Sequence, residues 1–339
     1  MKKIQLFLAT LPLLILFSCG SKPENKLITS RIEYDVQVNN YDKMDGWMNN
    51  LGAEERKSFI GFLFDELNDK KAVDSMGNTA GNEYAMQIIR SFNPDLDSSL
   101  NNAYQLIENE AVIIDKIRFR EKWEFNAETY QLVKTVMAVA PIIEKIDSNG
   151  SVVGAEPLFW VNCDSTAGDA QFVVLTSNIV TDAIIQNTLD PILAIEPNPK
   201  SYFSNVSEAG RIAYFDALLK AATEKKIVAY DYFFNVLPEA ELQKLKGYTD
   251  TVISYDEENN EVKTLVKNEV TAKEFGRLKF GEKWEYTKAP FTFRKTVMAV
   301  NPSIYIFDSY YGVLRGFKPL FWVIFDEDYL KLMQPKNPA

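Results

Sequence analysis

An internal repeat constrains the fold of this chain more than any other feature of its sequence. Residues 117–141 align without gaps to residues 278–302, which lie 161 positions later, with 12 identities among 25 positions. Both segments contain the string EKWE followed by KTVMAV, and a further string, PLFWV, recurs downstream at a spacing of 162. Self-similarity at a fixed spacing is the signature of a repeated structural unit.

Hydrophobic periodicity predicts how each unit is built. Residues 54–67 place Phe59, Phe62 and Leu63 at helical spacing, and residues 213–230 repeat this pattern more weakly. Residues 117–125 alternate apolar and polar side chains with the period of two that is typical of a half-buried strand.

Residues 132–139 and 157–162 would supply a second and a third strand, and each has a counterpart in the second copy. The sequence therefore predicts an α+β fold of two repeated units. In each unit, helices pack on a small antiparallel β-sheet that contains a three-stranded meander.

The length of 339 residues also favours two domains, since one domain usually has about 100–200 residues. Polar stretches at 165–170 and 196–201 flank the join. We therefore assign residues 32–168 to the first unit and 169–339 to the second, within which residues 181–195 are a candidate helix.

The first residues predict export with a lipid anchor. Lys2 and Lys3 precede an apolar run of 12 residues, which is too short for a membrane span of about 20 residues. The run ends in the string LFSCG, which resembles a bacterial lipobox. We expect residues 1–18 to be a signal peptide, Cys19 to carry the lipid, and residues 19–31 to form a tether. An ordinary secretory signal with an incidental cysteine is the alternative.

Composition excludes several classes of function. The chain has no histidine, which excludes serine and cysteine triads and imidazole metal sites. Its formal net charge of -10 argues against a nucleic-acid partner, because there is no basic surplus to neutralise phosphates. The sequence contains no phosphate-binding loop, nucleotide fingerprint or nucleophile elbow, so we expect no cofactor, no metal site and no catalytic residue.

Two carboxylates share the apolar face of the EKWE strands. Glu121 and Glu282 are in phase with the tryptophans Trp123 and Trp284, so each needs a partner if it is ionised. A functional interpretation makes them catalytic acids or cation ligands. A structural interpretation pairs them with a residue of the neighbouring strand, Lys134 or Thr135 in the first copy and Lys295 or Thr296 in the second.

The aromatic pairs of the PLFWV strings raise a second question. Adjacent residues in a strand point to opposite faces, so one ring of each pair faces away from its helix layer and must meet another surface. Cys163 aligns with Phe325, which predicts a packing position rather than a nucleophile. The retained features form one set of candidate interaction positions: Glu121, Trp123, Phe159, Trp160, Glu282, Trp284, Phe321 and Trp322.

The order of these motifs resembles the GldN/PorN family of gliding-motility and type IX secretion proteins. The resemblance is carried by residues 123–125, 138–141 and 158–161 and by the helix block at 214–219. It implies a periplasmic structural component, from a family whose members form a ring-like complex with a lipoprotein partner beneath the outer membrane. Members usually carry one such unit and a plain secretory signal, whereas this chain has two units and a lipobox.

The sequence therefore predicts a non-enzymatic envelope lipoprotein that is GldN/PorN-like. It would be anchored at the periplasmic face of the outer membrane and would act through protein partners, with an oligomer as one option. A surface lipoprotein that binds glycans or peptides through exposed aromatic rings is one alternative. A carboxylate-dependent hydrolase such as a glycosidase is the other, and it would need two carboxyl groups about 5–10 Å apart in an open cleft.

Overall fold

The computed structural model describes residues 24–39, 51–97, 99–149, 152–164, 171–184, 208–307 and 314–334. The predicted signal peptide and the predicted lipid attachment site at Cys19 lie outside these residues. Within the described ranges, no helix combines the length and the apolar composition that crossing a membrane requires.

The first sheet has six antiparallel strands around a long central hairpin. Its strands are β1 (Asn25–Gln37), β2 (Ala72–Val73), β3 (Lys116–Asn126), β4 (Leu132–Ile146), β5 (Val152–Pro157) and β6 (Trp160–Asn162). Their spatial order is β1, β3, β4, β6 and β2, and β5 pairs with the far part of β4. Three helices accompany it: α1 (Ala53–Asn68), α2 (Asn82–Phe92) and α3 (Ala103–Glu108).

The second sheet repeats this strand order. Its strands are β7 (Val173–Ile184), β8 (Ala229–Tyr230), β11 (Phe275–Lys288), β12 (Phe291–Phe307), β13 (Leu314–Pro319) and β14 (Trp322–Ile324). Their spatial order is β7, β11, β12, β14 and β8, and β13 pairs with β12. Its helices are α4 (Glu208–Thr223), α5 (Glu239–Leu245) and α6 (Glu327–Met333). A separate hairpin, β9 (Tyr248–Tyr255) and β10 (Glu261–Asn268), and a 3₁₀ turn, Ala272–Glu274, precede β11.

The two sheets bury one shared core instead of two. Phe59 of α1 lies 5.0 Å from Tyr286 of the second sheet, measured between ring centroids. In the same way, Tyr214 of α4 lies 5.1 Å from Phe125 of the first sheet. Each long helix therefore packs against both sheets, and a single hydrophobic cluster contains residues of both.

The predicted mixture of helices with antiparallel sheets is confirmed, while three local predictions are wrong. Residues 25–31 are not tether but the start of β1, because Ile28 and Thr29 are buried. Residues 181–184, predicted to be helical, end β7, and residues 185–195 are outside the described ranges. The predicted third strand at 157–162 is interrupted, since β5 ends at Pro157, Leu158 and Phe159 belong to no strand, and β6 begins at Trp160.

The outer faces of the two sheets are covered differently. On the first sheet, the guanidinium of Arg120 lies 4.2 Å from the ring centre of Trp160. The residue 161 positions later is Gly281, and the ring of Tyr329 from α6 occupies the space above it. Tyr329 belongs to a buried cluster with Trp322, so a helix covers the second outer face where an arginine covers part of the first.

We expect Gly281→Ala to lower the free energy of unfolding by about 1–3 kcal/mol, because a Cβ at this position would overlap the Tyr329 ring. Urea denaturation measures the change. Gly154→Ala is the matched control, since its Cβ would approach no closer than 3.8 Å to a neighbour. A Gly281→Ala protein as stable as the control would contradict this packing.

Candidate functional site

A β-bulge in each central hairpin decides which side chains reach the shared core. Arg120 pairs with Ala138, but the next residue, Glu121, pairs with Val136, so Met137 is the extra residue. The bulge shifts the alternation along β4 and brings Lys134, instead of Thr135, to the inner face.

The second hairpin has the same bulge. Gly281 pairs with Ala299 and Glu282 pairs with Val297, which leaves Met298 as the extra residue and turns Lys295 inward. Of the two partners that the sequence left open in each copy, the lysine is therefore the one that faces the carboxylates.

The ion pairs cross between the sheets. Lys134 Nζ donates to Glu282 Oε1 at 2.5 Å, and Lys295 Nζ lies 2.8 Å from Glu121 Oε1. All four side chains are fully buried. Each lysine thus pairs with the glutamate of the other sheet, whereas the sequence predicted a partner on the neighbouring strand of the same sheet.

Tyr34 of β1 joins both pairs into what we call the central charge cluster: Tyr34, Glu121, Lys134, Glu282 and Lys295. The Tyr34 hydroxyl donates to Glu121 Oε2 at 2.8 Å. It accepts from both lysine Nζ atoms at 3.1 Å. One donor and two acceptors are all that a hydroxyl offers, so this hydroxyl is saturated.

One oxygen of each carboxylate, Glu121 Oε2 and Glu282 Oε2, accepts further hydrogen bonds. Trp123 Nε1 donates to Glu121 at 2.6 Å, and Trp284 Nε1 donates to Glu282 at 2.9 Å. Thr181 of β7 donates to Glu282 at 2.9 Å. Thr181 opposes Phe280 in the second sheet as Tyr34 opposes Phe119 in the first, so it stands at the register position of the tyrosine.

Aromatic rings enclose the two ammonium groups reciprocally. Lys134 Nζ lies 3.3 Å from the ring centre of Phe280, and Lys295 Nζ lies 3.1 Å from that of Phe119. Cation–π attraction of this kind is strongest where water is excluded. The rings also meet across the sheets, with Phe119 5.0 Å from Trp284 and Trp123 5.3 Å from Phe280.

The cluster shifts the pKa values of its members. Burial alone raises the pKa of Glu282, but the charges of Lys134 and Lys295 and the hydrogen bonds from Lys134 and Trp284 outweigh it and hold this pKa below its usual 4.5. Burial lowers the pKa of Lys295 to about 8 against the attraction of both carboxylates. Burial, Glu121 and Glu282 raise the pKa of the Tyr34 hydroxyl well above 10.0.

The predicted candidate positions separate into two groups. Glu121, Trp123, Glu282 and Trp284 lie together at the centre of the core, as described above. The rings of the PLFWV strings lie apart from them and are all buried, at 0% exposure for Phe159, 3% for Trp160, 1% for Phe321 and 6% for Trp322. Phe159 packs on Phe64 of α1, and the other ring of each pair lies on the outer face.

Cys163 and two acidic residues, Asp256 and Asp326, make local structural contacts. Burial raises the pKa of the Cys163 thiol to about 12, and its N–H donates to the carbonyl of the bulge residue Met137. The N–H of Phe325 bonds Met298 in the same way. Asp256 caps a turn and Asp326 caps α6, and the described residues contain no group of side chains that could hold a metal ion.

Tyr34 and Thr181 were not among the predicted site residues, although the sequence pattern around Tyr34 indicates a strand. Ile32, Tyr34 and Val36 alternate with charged or polar residues in the period expected of a strand. Thr181 carried no comparable signal, since a threonine in a strand is ordinary.

The fold and the cluster define an α+β protein of two facing antiparallel sheets, held in register by buried charges. Residues 193–336 match the family model described as "Gliding motility associated protein GldN". The matched range holds α4 and every strand of the second sheet except β7. The resemblance to this family that the sequence predicted is thus confirmed for residues 193–336. Comparison with curated proteins found no match.

We expect Lys134→Met to destabilise the protein by about 3–5 kcal/mol, because it leaves the Glu282 carboxylate buried without its closest counter-charge. Lys122→Met is the matched control, since the Lys122–Glu124 pair is partly exposed and should contribute less than about 1 kcal/mol. Chemical denaturation measures both. The double variant Lys134→Met with Glu282→Leu should recover much of the loss, and equal effects of the two single lysine changes would argue against a buried pair.

Glu282 should make stability depend on acid pH. Its pKa is lowered by folding, so its contribution is complete above about 4.5 and declines as the pH falls through the lower folded value. We expect the difference in unfolding free energy between wild type and Glu282→Gln to shrink from about pH 6 to about pH 3. A difference that stays constant over this range would show that folding does not lower the pKa of Glu282, and a difference that grows as the pH falls would show that the folded carboxyl is protonated.

Proposed function

We propose that the chain consists of two diverged copies of one GldN-like unit, joined by tandem duplication. Three observations support this. The strand orders of the two sheets correspond. The bulges at Met137 and Met298 coincide. The two crossed ion pairs use equivalent residues, since Glu282 lies 161 positions after Glu121 and Lys295 lies 161 positions after Lys134. Reciprocal contacts of this kind are those of a two-fold symmetric dimer, here within one chain.

We further propose that the protein is a lipoprotein, anchored through Cys19 at the periplasmic face of the outer membrane. The support is the lipobox-like leader. The first described strand begins at Asn25, six residues beyond Cys19. An extended stretch of that length spans about 20 Å, so a lipid at Cys19 would hold the first sheet close to the membrane.

The function that we propose is that of a structural or accessory component of the gliding-motility and type IX secretion machinery, acting through protein–protein contacts. The family match over residues 193–336 carries this proposal. The central charge cluster agrees with a structural role, because every carboxylate and ammonium in it is used in an internal contact.

Two other functions lose the features that suggested them. A glycan- or peptide-binding surface required exposed rings, but Phe159, Trp160, Phe321 and Trp322 are buried. A glycosidase required two carboxyl groups in an open cleft. Glu121 and Glu282 are instead enclosed and ion-paired, so neither can reach a sugar.

The test is extraction of the native protein from membranes with mild detergent, after growth with a labelled fatty acid. We expect the wild-type chain to be labelled and to co-purify with type IX secretion core proteins. Cys19→Ala should lose the label. Label that persists in Cys19→Ala would contradict the anchor, and an unaccompanied monomer from wild-type membranes would contradict the role in the machinery.

A further inference from the structure

A short turn after β8 presents aromatic side chains to solvent. We call residues 231–235 the aromatic turn. Asp231 fixes its backbone, because its Oδ1 accepts from the N–H groups of Phe233 at 2.8 Å and Asn235 at 2.9 Å. Such Asp-centred turns are locally stable, so the side chains they carry are held in a defined direction.

The first half of the chain contains the same turn and serves as an internal control. There, Asp74 accepts from the N–H groups of Met76 and Asn78, both at 2.8 Å. The bridges that close the two turns also correspond, Val73 with Thr79 and Tyr230 with Val236. The backbone design is therefore shared, and differences between the turns lie in their side chains.

Those side chains differ in polarity. The second turn exposes Tyr232 at 51%, Phe233 at 63% and Val236 at 64%. The corresponding residues of the first turn, 157 positions earlier, are Ser75, Met76 and Thr79. Two aromatic rings and a valine thus stand where the first turn has a serine, a methionine and a threonine. Met76 is itself 83% exposed, so what distinguishes the second turn is its pair of exposed aromatic rings.

One backbone position of the aromatic turn is strained, and it distinguishes the turns further. Phe234 has a φ of 62°, in the left-handed region, where the first turn has Gly77 at 88°. A bulky residue rarely adopts this conformation, and it persists only when its surroundings enforce it. Phe234 is buried and stacks on Trp322 with centroids 5.5 Å apart, so it anchors the turn to the core.

This anchor leaves two outward rings with a fixed arrangement. Tyr232 and Phe233 meet edge to face, with centroids 5.5 Å apart at 87°. Large aromatic side chains that are already ordered lose little entropy on binding, which is why they dominate the energetics of protein interfaces.

Charges at the base of the turn indicate the class of partner. Lys225, which precedes β8, pairs with Glu239, which follows the turn, at 2.8 Å, and Lys226 pairs with Glu224 at 2.9 Å. Lys220 also lies 3.9 Å from Glu224. Each of these three lysines thus has an acidic partner, and the rim contains both signs of charge. An apolar centre with a mixed polar rim is the anatomy of a protein–protein interface, whereas anionic lipid or nucleic acid attracts uncompensated cations.

We propose that the aromatic turn docks into an apolar pocket on a protein partner, with Phe233 as the inserted ring and Tyr232 at the mouth of the pocket. The proposal rests on the proposed function only in that the chain acts through protein partners. It adds the surface that makes the contact and assigns that contact to the second half alone.

The test is to place a photo-crosslinking amino acid at position 233 of the full chain in native cells, with position 76 as the matched control. The protein captured at position 233 is then purified, and its affinity for the full chain is measured. We expect Phe233→Ser to raise Kd at least about tenfold. Met76→Ser should leave Kd unchanged, and neither change should alter the melting temperature, because both side chains are exposed.

The docking proposal is overturned if no protein is captured at position 233, or if capture at position 76 is equal. Capture of lipid or of a second copy of the chain, or an unchanged Kd for Phe233→Ser, would overturn it too. If Kd rises as expected but the captured protein is unrelated to gliding or secretion, docking stands and the proposed function fails. If type IX secretion proteins co-purify while the Kd for Phe233→Ser is unchanged, the docking proposal fails and the proposed function stands.

Discussion

The crossed ion pairs between the two sheets are the constraint on which the rest of the structure depends. The side chains of Lys134 and Lys295 each pair with a glutamate of the opposite sheet, and all four charged side chains are buried. An ionised group in such a place is tolerated only with a counter-charge and satisfied hydrogen bonds. Separating the two halves would therefore break both ion pairs.

Stability alone does not explain why charges occupy this core. Buried ion pairs often contribute no more than well-packed apolar residues of the same volume, because desolvation offsets their attraction. Their effect here is geometric. The rings of Phe119, Trp123, Phe280 and Trp284 also meet across the sheets, but apolar contacts specify a register less sharply than paired charges do. Two lysines that must each reach one carboxylate, with Tyr34 between them, permit one register of the facing sheets.

The sequence predicted the local elements well and the interlocking of the halves not at all. The alternation around Trp123 and the helical spacing of Phe59 identified β3 and α1, because each pattern depends on neighbours along the chain. The partner of Glu121 is Lys295 of the other sheet, which the bulge at Met298 turns inward. No periodicity encodes such a contact, so the charged residues could be selected but their pairing could not.

The two halves agree at their inner faces and differ at exposed positions. Residues that meet across the core, such as Glu121 and Glu282 or Lys134 and Lys295, are the same in both. Exposed positions differ, with Ser75 against Tyr232 and Met76 against Phe233. A change at the inner face must suit the opposite sheet and is constrained by the cluster, whereas a change at an exposed position does not disturb the core. Binding specificity is therefore expected on the outer surface, and the fold supplies the rigid support that presents it.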